Sequence, residues 1–168
     1  MTELERLLIK QACTELVTQA HIFVDRFQHD ELVDCFAEDA VFENAVVGGV
    51  LRGRDQIKAY YDRKNTRILA QHVTTNIVID VIDDTHATGV SYFTFYFAGE
   101  GYTVPSAFTG PTAVGQYEDV FVLDGDTWKF QSRKMSNRFQ VGLLSDLALV
   151  DPPADQREAS RTGQEGDQ

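Results

Sequence analysis

Apolar side chains recur at helical spacing between residues 3 and 27. Leu4, Leu8, Ala12, Leu16 and Ala20 fall every four residues, and Leu7, Ile9, Cys13 and Val17 widen the stripe. The segment reads as one long amphipathic helix. Asp30 is placed to cap a short second helix through Leu32, Val33 and Phe36. Residues 40–43 predict a first strand, Gly48-Gly49 a turn, and Val50-Leu51 the start of a second short strand. A third helix is predicted over residues 55–66, with Ile57, Tyr60 and Tyr61 on its apolar side. The period then changes from helical to extended. Residues 73–82, rich in β-branched side chains, end at the turn signal Asp83-Asp84. A long strand over 86–98 carries the aromatic run from Tyr92 to Phe97. A loop rich in Gly and Pro follows over 99–111, then strands over 112–123 and 127–139 around the hairpin turn Asp124-Gly125-Asp126.

Helices first and hairpin-linked strands second is an α+β order, in which the helices pack on one face of a curved sheet. A final short helix is predicted within residues 141–150. The Pro, Asp, Glu, Gly and Ser-rich stretch over 151–168 reads as a disordered acidic tail. The domain proper therefore spans residues 1–140.

Composition narrows the function classes. The chain has 168 residues, 43% hydrophobic and 24% charged, the balance of a globular protein with one core. Its formal net charge is −11, from 15 basic and 26 acidic side chains. Such a field repels phosphate backbones and anionic membrane surfaces, so no nucleic acid or membrane partner is expected. No run reaches the ~18 apolar residues of a membrane span. The acidic N-terminus does not resemble a signal peptide, so a cytoplasmic location is expected. Cys13 and Cys35 form no CxxC pair and read as reduced packing residues.

Four local patterns carry a family resemblance. One is Val24-Asp25-Arg26 followed by Leu32 and by Cys35-Phe36-Ala37-Glu38-Asp39-Ala40-Val41-Phe42. Another is Gly53-Arg54-Asp55-Gln56-Ile57 at the third helix. A third is Gln71-His72-Val73-Thr74-Thr75-Asn76 at the opening of a strand. The last joins Gly115-Gln116-Tyr117-Glu118-Asp119 to Gly125-Asp126-Thr127-Trp128-Lys129-Phe130 and Arg133. Over residues 3–140 the chain resembles the nuclear transport factor 2-like superfamily, in particular its SnoaL-like branch. That branch includes polyketide cyclases, scytalone dehydratase, ketosteroid isomerase, bile acid dehydratase and hexachlorocyclohexane dehydrochlorinase. The resemblance implies a cone: a bent antiparallel sheet wrapped around N-terminal helices, with an apolar pocket in its mouth. It is specific for the fold and leaves the reaction open, because this fold hosts isomerases, hydrolases, lyases and binders.

In the lyases of that branch an aspartate on the first helix and a histidine on this strand form a dyad, and Asp25 and His72 match those positions. A neutral imidazole takes up a proton near neutral pH. A carboxylate on its other nitrogen fixes the tautomer and stabilises the imidazolium. Taken alone, Asp25 also fits a solvated acid and His72 a packed strand residue. Several members carry Tyr or Lys five residues before the aspartate, where this chain has Ala20. Dehydrochlorination or scytalone chemistry therefore does not transfer directly. His21, about 100° further round the helix, is the candidate substitute.

Arg133 matches an arginine of some members and is a candidate oxyanion or leaving-group stabiliser; the alternative is a surface strand arginine. Tyr92, Tyr96 and Tyr117 are candidate donors to a substrate oxygen, with sheet packing as the alternative. Asn76, four residues beyond His72 on the same strand face, is a candidate orienting group. His21, Asp25 and His29 share a helix face at i, i+4 and i+8. They read as helix polarity rather than a metal set, and no HExxH, P-loop or GxSxG pattern is present. No metal and no cofactor are expected. The aromatic strand has two apolar faces, which predicts a homodimer or homotrimer. Tyr102, Val104 and Phe108 make the 99–111 loop a candidate lid.

The leading expectation is a cofactor-independent lyase. His72, oriented by Asp25, would deprotonate a small apolar, aromatic or cyclic substrate, with loss of water, halide or a carbonyl fragment. Aromatic diols derived from lignin are one candidate class, because some family members release formaldehyde from them; sterol-like and polyketide rings are others. The alternatives are an isomerase or polyketide cyclase with the same base, an epoxide hydrolase of Asp-Arg-Asp type, and a non-catalytic module that binds hydrophobic ligands.

Overall fold

The first helix, α1 (Glu3–Asp25), begins at a reciprocal cap. The Thr2 hydroxyl accepts from the Glu5 N–H, and the Glu5 carboxylate accepts from the Thr2 N–H. It stops two residues before the predicted end, because Phe27 takes a left-handed conformation (φ 56°) and the Gln28 N–H closes on the Phe23 carbonyl at 2.9 Å. The computed structural model describes residues 1–44, 49–107 and 110–142. The expected helix within 141–150, the 151–168 tail, Gly48 of the expected turn and Phe108 of the expected lid lie at least partly outside these residues.

The second helix, α2 (His29–Asp34), starts one residue before the expected cap. Asp30 lies inside it and pairs instead with Lys58 at 2.7 Å. Strand β1 (Phe36–Asn44) begins earlier than predicted, because Phe36 and Ala37 are buried and the Cys35 carbonyl accepts the Phe130 N–H at 2.8 Å. Next come β2 (Gly49–Arg52) and α3 (Gly53–Tyr61). The third helix ends five residues short of the prediction. Asn65 turns the chain there, its side-chain oxygen accepting the Arg67 N–H at 2.9 Å. Four long strands complete the described residues: β3 (Leu69–Val81), β4 (His86–Ala98), β5 (Ala113–Asp124) and β6 (Thr127–Gln140).

The six strands form one sheet in the order β2-β1-β6-β5-β4-β3. Every joint is antiparallel except β1–β6, which is parallel and sets Phe42 beside Arg133 and Asn44 beside Met135. The helices cover the concave face. Cys13 and Val17 of α1 and Ile57 of α3 pack there against Phe36, Phe121 and Phe130. Both cysteines are buried and free. Strand β3 is a sheet edge, and α1 lies along it; Arg6 donates from Nη1 to the Val81 carbonyl at 2.9 Å. Covering an edge in this way satisfies backbone groups that would otherwise be unpaired.

Side-chain alternation divides β3 and β4 between two faces. Ala70, His72, Phe93 and Phe95 point inward, while Val73, Val90 and Tyr92 stay exposed on the outer face. Part of the 99–111 loop also lies outside. Ser106, Ala107 and Gly110 share a shallow hollow with Leu69, Gln71, Val73 and Tyr96. None of the loop's described residues, Tyr102 and Val104 of the expected lid among them, lines the inner cavity. Among the described residues no helix is long and apolar enough to cross a membrane.

Two outcomes are expected. A Cβ at Gly115 would meet the Ser136 carbonyl at 2.3 Å and the Phe93 ring at 2.6 Å. Gly115→Ala should therefore destabilise the fold by about 1–3 kcal/mol in urea unfolding; unchanged stability would refute the packing. The exposed Val73, Val90, Tyr92 and Val120 of the outer face predict self-association. Light scattering should give a multiple of 18.9 kDa, and a purely monomeric species would refute it.

Candidate active site

Asp25 closes α1, and its carboxylate reaches the edge of β3. Oδ2 accepts the backbone N–H of His72 at 2.7 Å, and Oδ1 lies 2.6 Å from the His72 Nδ1. A carboxylate only accepts, so Nδ1 carries the proton of the neutral ring and Nε2 keeps its lone pair. Both side chains are 17% exposed. The His72 ring packs on Phe95 at 4.7 Å between centroids. Sequence spacing left the two residues unrelated; the fold brings them into contact.

They open onto a cavity between the helices and the sheet. Phe36, Phe42, Phe93 and Phe95 give it apolar walls. His21 lies at its inner side, buried, with its ring stacked 5.4 Å from that of His72 and tilted 5.0 Å from that of Tyr117. Its Nδ1 bonds the Thr74 hydroxyl at 2.8 Å, while Nε2 is buried and has no partner among the described residues. Burial, then the Arg133 charge, then His72 hold the His21 pKa well below the ordinary histidine value. His21 is therefore neutral at pH 7. Tyr117 also lines the cavity, and burial pushes its hydroxyl up to about 12, so it remains a donor.

Arg133 is buried rather than a surface strand residue. It lies between the Tyr117 and Phe130 rings at 4.1 and 4.2 Å and donates from Nε and Nη2 to both Asp119 oxygens at 3.0 and 3.2 Å. Burial raises the Asp119 pKa, and Arg133 opposes that shift. Asp119 is thus the carboxylate beside Arg133 that an Asp-Arg-Asp set requires, but it does not line the cavity.

The other candidates fall elsewhere. Tyr92 and Tyr96 alternate onto the outer face, and Tyr92 is 48% exposed. Asn76 is displaced by a bulge between Thr75 and Val78, where it takes φ 52° and is exposed; the same-face expectation is corrected. His29 faces Asp62 at 3.7 Å rather than sharing a centre with His21 and Asp25. Among the described residues no group of three or more His, Cys, Asp or Glu is placed to hold a metal.

Sequence reasoning missed Asn44, Tyr60, Lys64 and Asn137, all of which line the cavity. Lys64 was within reach of that reasoning, because the helix expected over 55–66 puts it four residues after Tyr60 on the same side; the helix ends at Tyr61, yet Lys64 still lines the cavity.

Residues 5–134 match the SnoaL-like domain family. Solved structures share the fold. A proposed scytalone dehydratase from Novosphingobium aromaticivorans is 20% identical with a TM-score of 0.68, covering 91% of this chain and 98% of its own. A protein of unknown function from Mycobacterium tuberculosis is 24% identical with a TM-score of 0.69, covering 97% and 90%. The hexachlorocyclohexane dehydrochlorinase LinA type 2 is 15% identical with a TM-score of 0.69, covering 91% and 99%. At these identities the likeness is one of fold. No protein of curated function matches the chain in sequence.

The depressed His21 pKa has a measurable consequence. The folded state keeps this ring neutral while the unfolded chain protonates near the ordinary value of 6.5. The unfolded state then binds more protons, so stability is full above about pH 6.5 and falls as the pH drops below it. His29, also shifted down by burial, acts in the same direction. Urea unfolding at about pH 7.5 and 5.5 should show the loss, and His21→Gln should reduce it. An unchanged pH slope in that variant would refute the assignment.

Proposed function

The chain belongs to the SnoaL-like domain family, and from that premise we propose a cofactor-independent lyase that acts on a small apolar, aromatic or cyclic molecule. The contact between Asp25 and the His72 ring beside an apolar cavity carries the reading. His72 Nε2 takes a proton from a substrate carbon. The C–H electron pair forms the new double bond as the bond to the leaving group breaks. Asp25 holds the Nδ1 proton and balances the imidazolium charge. For a hydroxyl leaving group, the imidazolium returns its proton to the departing oxygen, and water leaves. Halide leaves without that proton. For a carbonyl fragment such as formaldehyde, His72 instead deprotonates a substrate hydroxyl; the O–H pair forms the carbonyl, the C–C pair forms the new carbon–carbon double bond, and the hydroxyl on the adjacent carbon leaves as water with the imidazolium proton.

His21 Nε2 and the Tyr117 hydroxyl are the polar groups closest in kind to a leaving-group site. Both are neutral, and both belong to residues that line the cavity. Arg133 contributes a positive field there, reduced by its bond to Asp119. The Asp-Arg-Asp hydrolase reading is weaker, because Asp119 is outside the cavity lining and Asp25 is engaged by His72.

A panel of aromatic diols, cyclic alcohols and alkyl halides, assayed for elimination or formaldehyde release, tests the proposal. Turnover is expected on at least one class, and His72→Ala should lower it by about 10²-fold or more with the fold retained. Full activity in that variant would refute the base. Double-bond migration without loss of a group would make the protein an isomerase with the same base. Binding without turnover would leave a ligand-binding module.

A further inference from the structure

Lys64 lies just beyond α3 and lines the same cavity as His72. Its ammonium sits over the Tyr60 ring, 4.5 Å from the centroid. Among the described residues it forms no ion pair, and the nearby acids are engaged elsewhere. Asp62 holds Lys58 at 3.1 Å, and Glu100 takes Arg67 and Asn65, each at 2.9 Å. Across the cavity Asp25 is bonded to His72 and Asp119 to Arg133. The hydroxyls of Tyr60 and Tyr61 are held protonated by burial, and His21 is neutral. Asp25 keeps its negative charge against the neutral His72 ring, but among the described residues no carboxylate lies within ion-pair distance of Lys64.

We propose that Lys64 is the anion-holding residue of the cavity, and that the ligand is an apolar ring carrying one ionised oxygen group, a carboxylate or a phenolate. The aromatic walls take the ring, and the ammonium supplies the counter-charge, since Arg133, the other cation among the described lining residues, is held by Asp119. An ammonium removed from water without a partner is costly, and a bound anion offsets that cost. Burial alone already draws the Lys64 pKa down to about 8, so anion binding must draw a proton back onto the amine at alkaline pH. The proposal rests on the cavity being the ligand site of the lyase reading, but not on His72 acting as a base.

Calorimetry of the full chain with benzoate and with benzamide tests it, because the two probes share a shape and differ in charge. At pH 7 benzoate should bind about tenfold more tightly, equivalent to about 1.4 kcal/mol. Lys64→Met should remove the preference while changing benzamide affinity by less than about twofold. At about pH 8.5 benzoate binding should take up protons, read from heats in buffers of different ionisation enthalpy, with little uptake at about pH 6.5. Lys64→Arg should keep the preference and abolish the uptake, because guanidinium does not titrate there. Three outcomes would overturn the proposal: equal affinity for the two probes, a preference that survives in Lys64→Met, or no binding of either probe. None of these readouts involves turnover, so a failed base and a failed anion site are told apart.

Discussion

One carboxylate holds the helix layer to the sheet and aims the imidazole. Strand β3 is an edge, and the His72 N–H on that edge has no neighbouring strand to receive it. Asp25 accepts that N–H with one oxygen and the ring Nδ1–H with the other. Both are charge-assisted bonds, stronger and more directional than neutral ones. Further along the same edge His21 meets Thr74, and Arg6 meets the Val81 carbonyl. The placement of α1 and the orientation of His72 are therefore one structural fact. The left-handed turn at Phe27 ends the helix just beyond Asp25, so the carboxylate comes from the last helical turn instead of a loose segment.

The polarity of the cavity comes from desolvation more than from net charge. The chain carries −11 overall, yet the charged groups lining the cavity include two cations, Arg133 and Lys64. They are treated differently. Arg133 is neutralised by a bidentate bond to Asp119 and clamped between two rings. Such a pair gains little net stability, because desolvation of both ions consumes most of the attraction. Its effect is to fix an arginine in a core position where β5 meets β6. Lys64 has only an aromatic face. His21 responds to the same low-polarity surroundings by remaining neutral.

Much of the architecture was legible in the chain. Periodicity 3.6 gave α1, and period 2 with β-branched and aromatic enrichment gave the four long strands. The ends were less so: Asn65 stops α3 through its own side-chain bond, and a long-range contact with Phe130 draws β1 back to Phe36. Family resemblance singled out Asp25 and His72, and the structure joins them. The tyrosines of β4 show the limit of reading by residue type. Strand parity alone sends Tyr92 and Tyr96 to the face opposite Phe93 and Phe95, a rule available from the sequence once the inward residues are known. Asn76 could not be placed that way, because the bulge that displaces it leaves no mark in composition. The partner of Arg133 was equally hidden: Asp119 and Arg133 sit fourteen positions apart and meet only through the register of a hairpin.

The parallel joint also dictates an order of assembly during synthesis. Strand β1 is made early, but its inner neighbour is β6, which ends at Gln140. Until that strand leaves the ribosome, Phe36 lacks Phe130 and Phe42 lacks its place beside Arg133. The nascent chain must therefore carry the β6-facing edge of β1 unpaired until residue 140 is made. Such non-local pairing slows folding and leaves sticky surface exposed for longer. The cavity is accordingly the last part of the domain to come into being, and its appearance reports that the whole sheet has closed up.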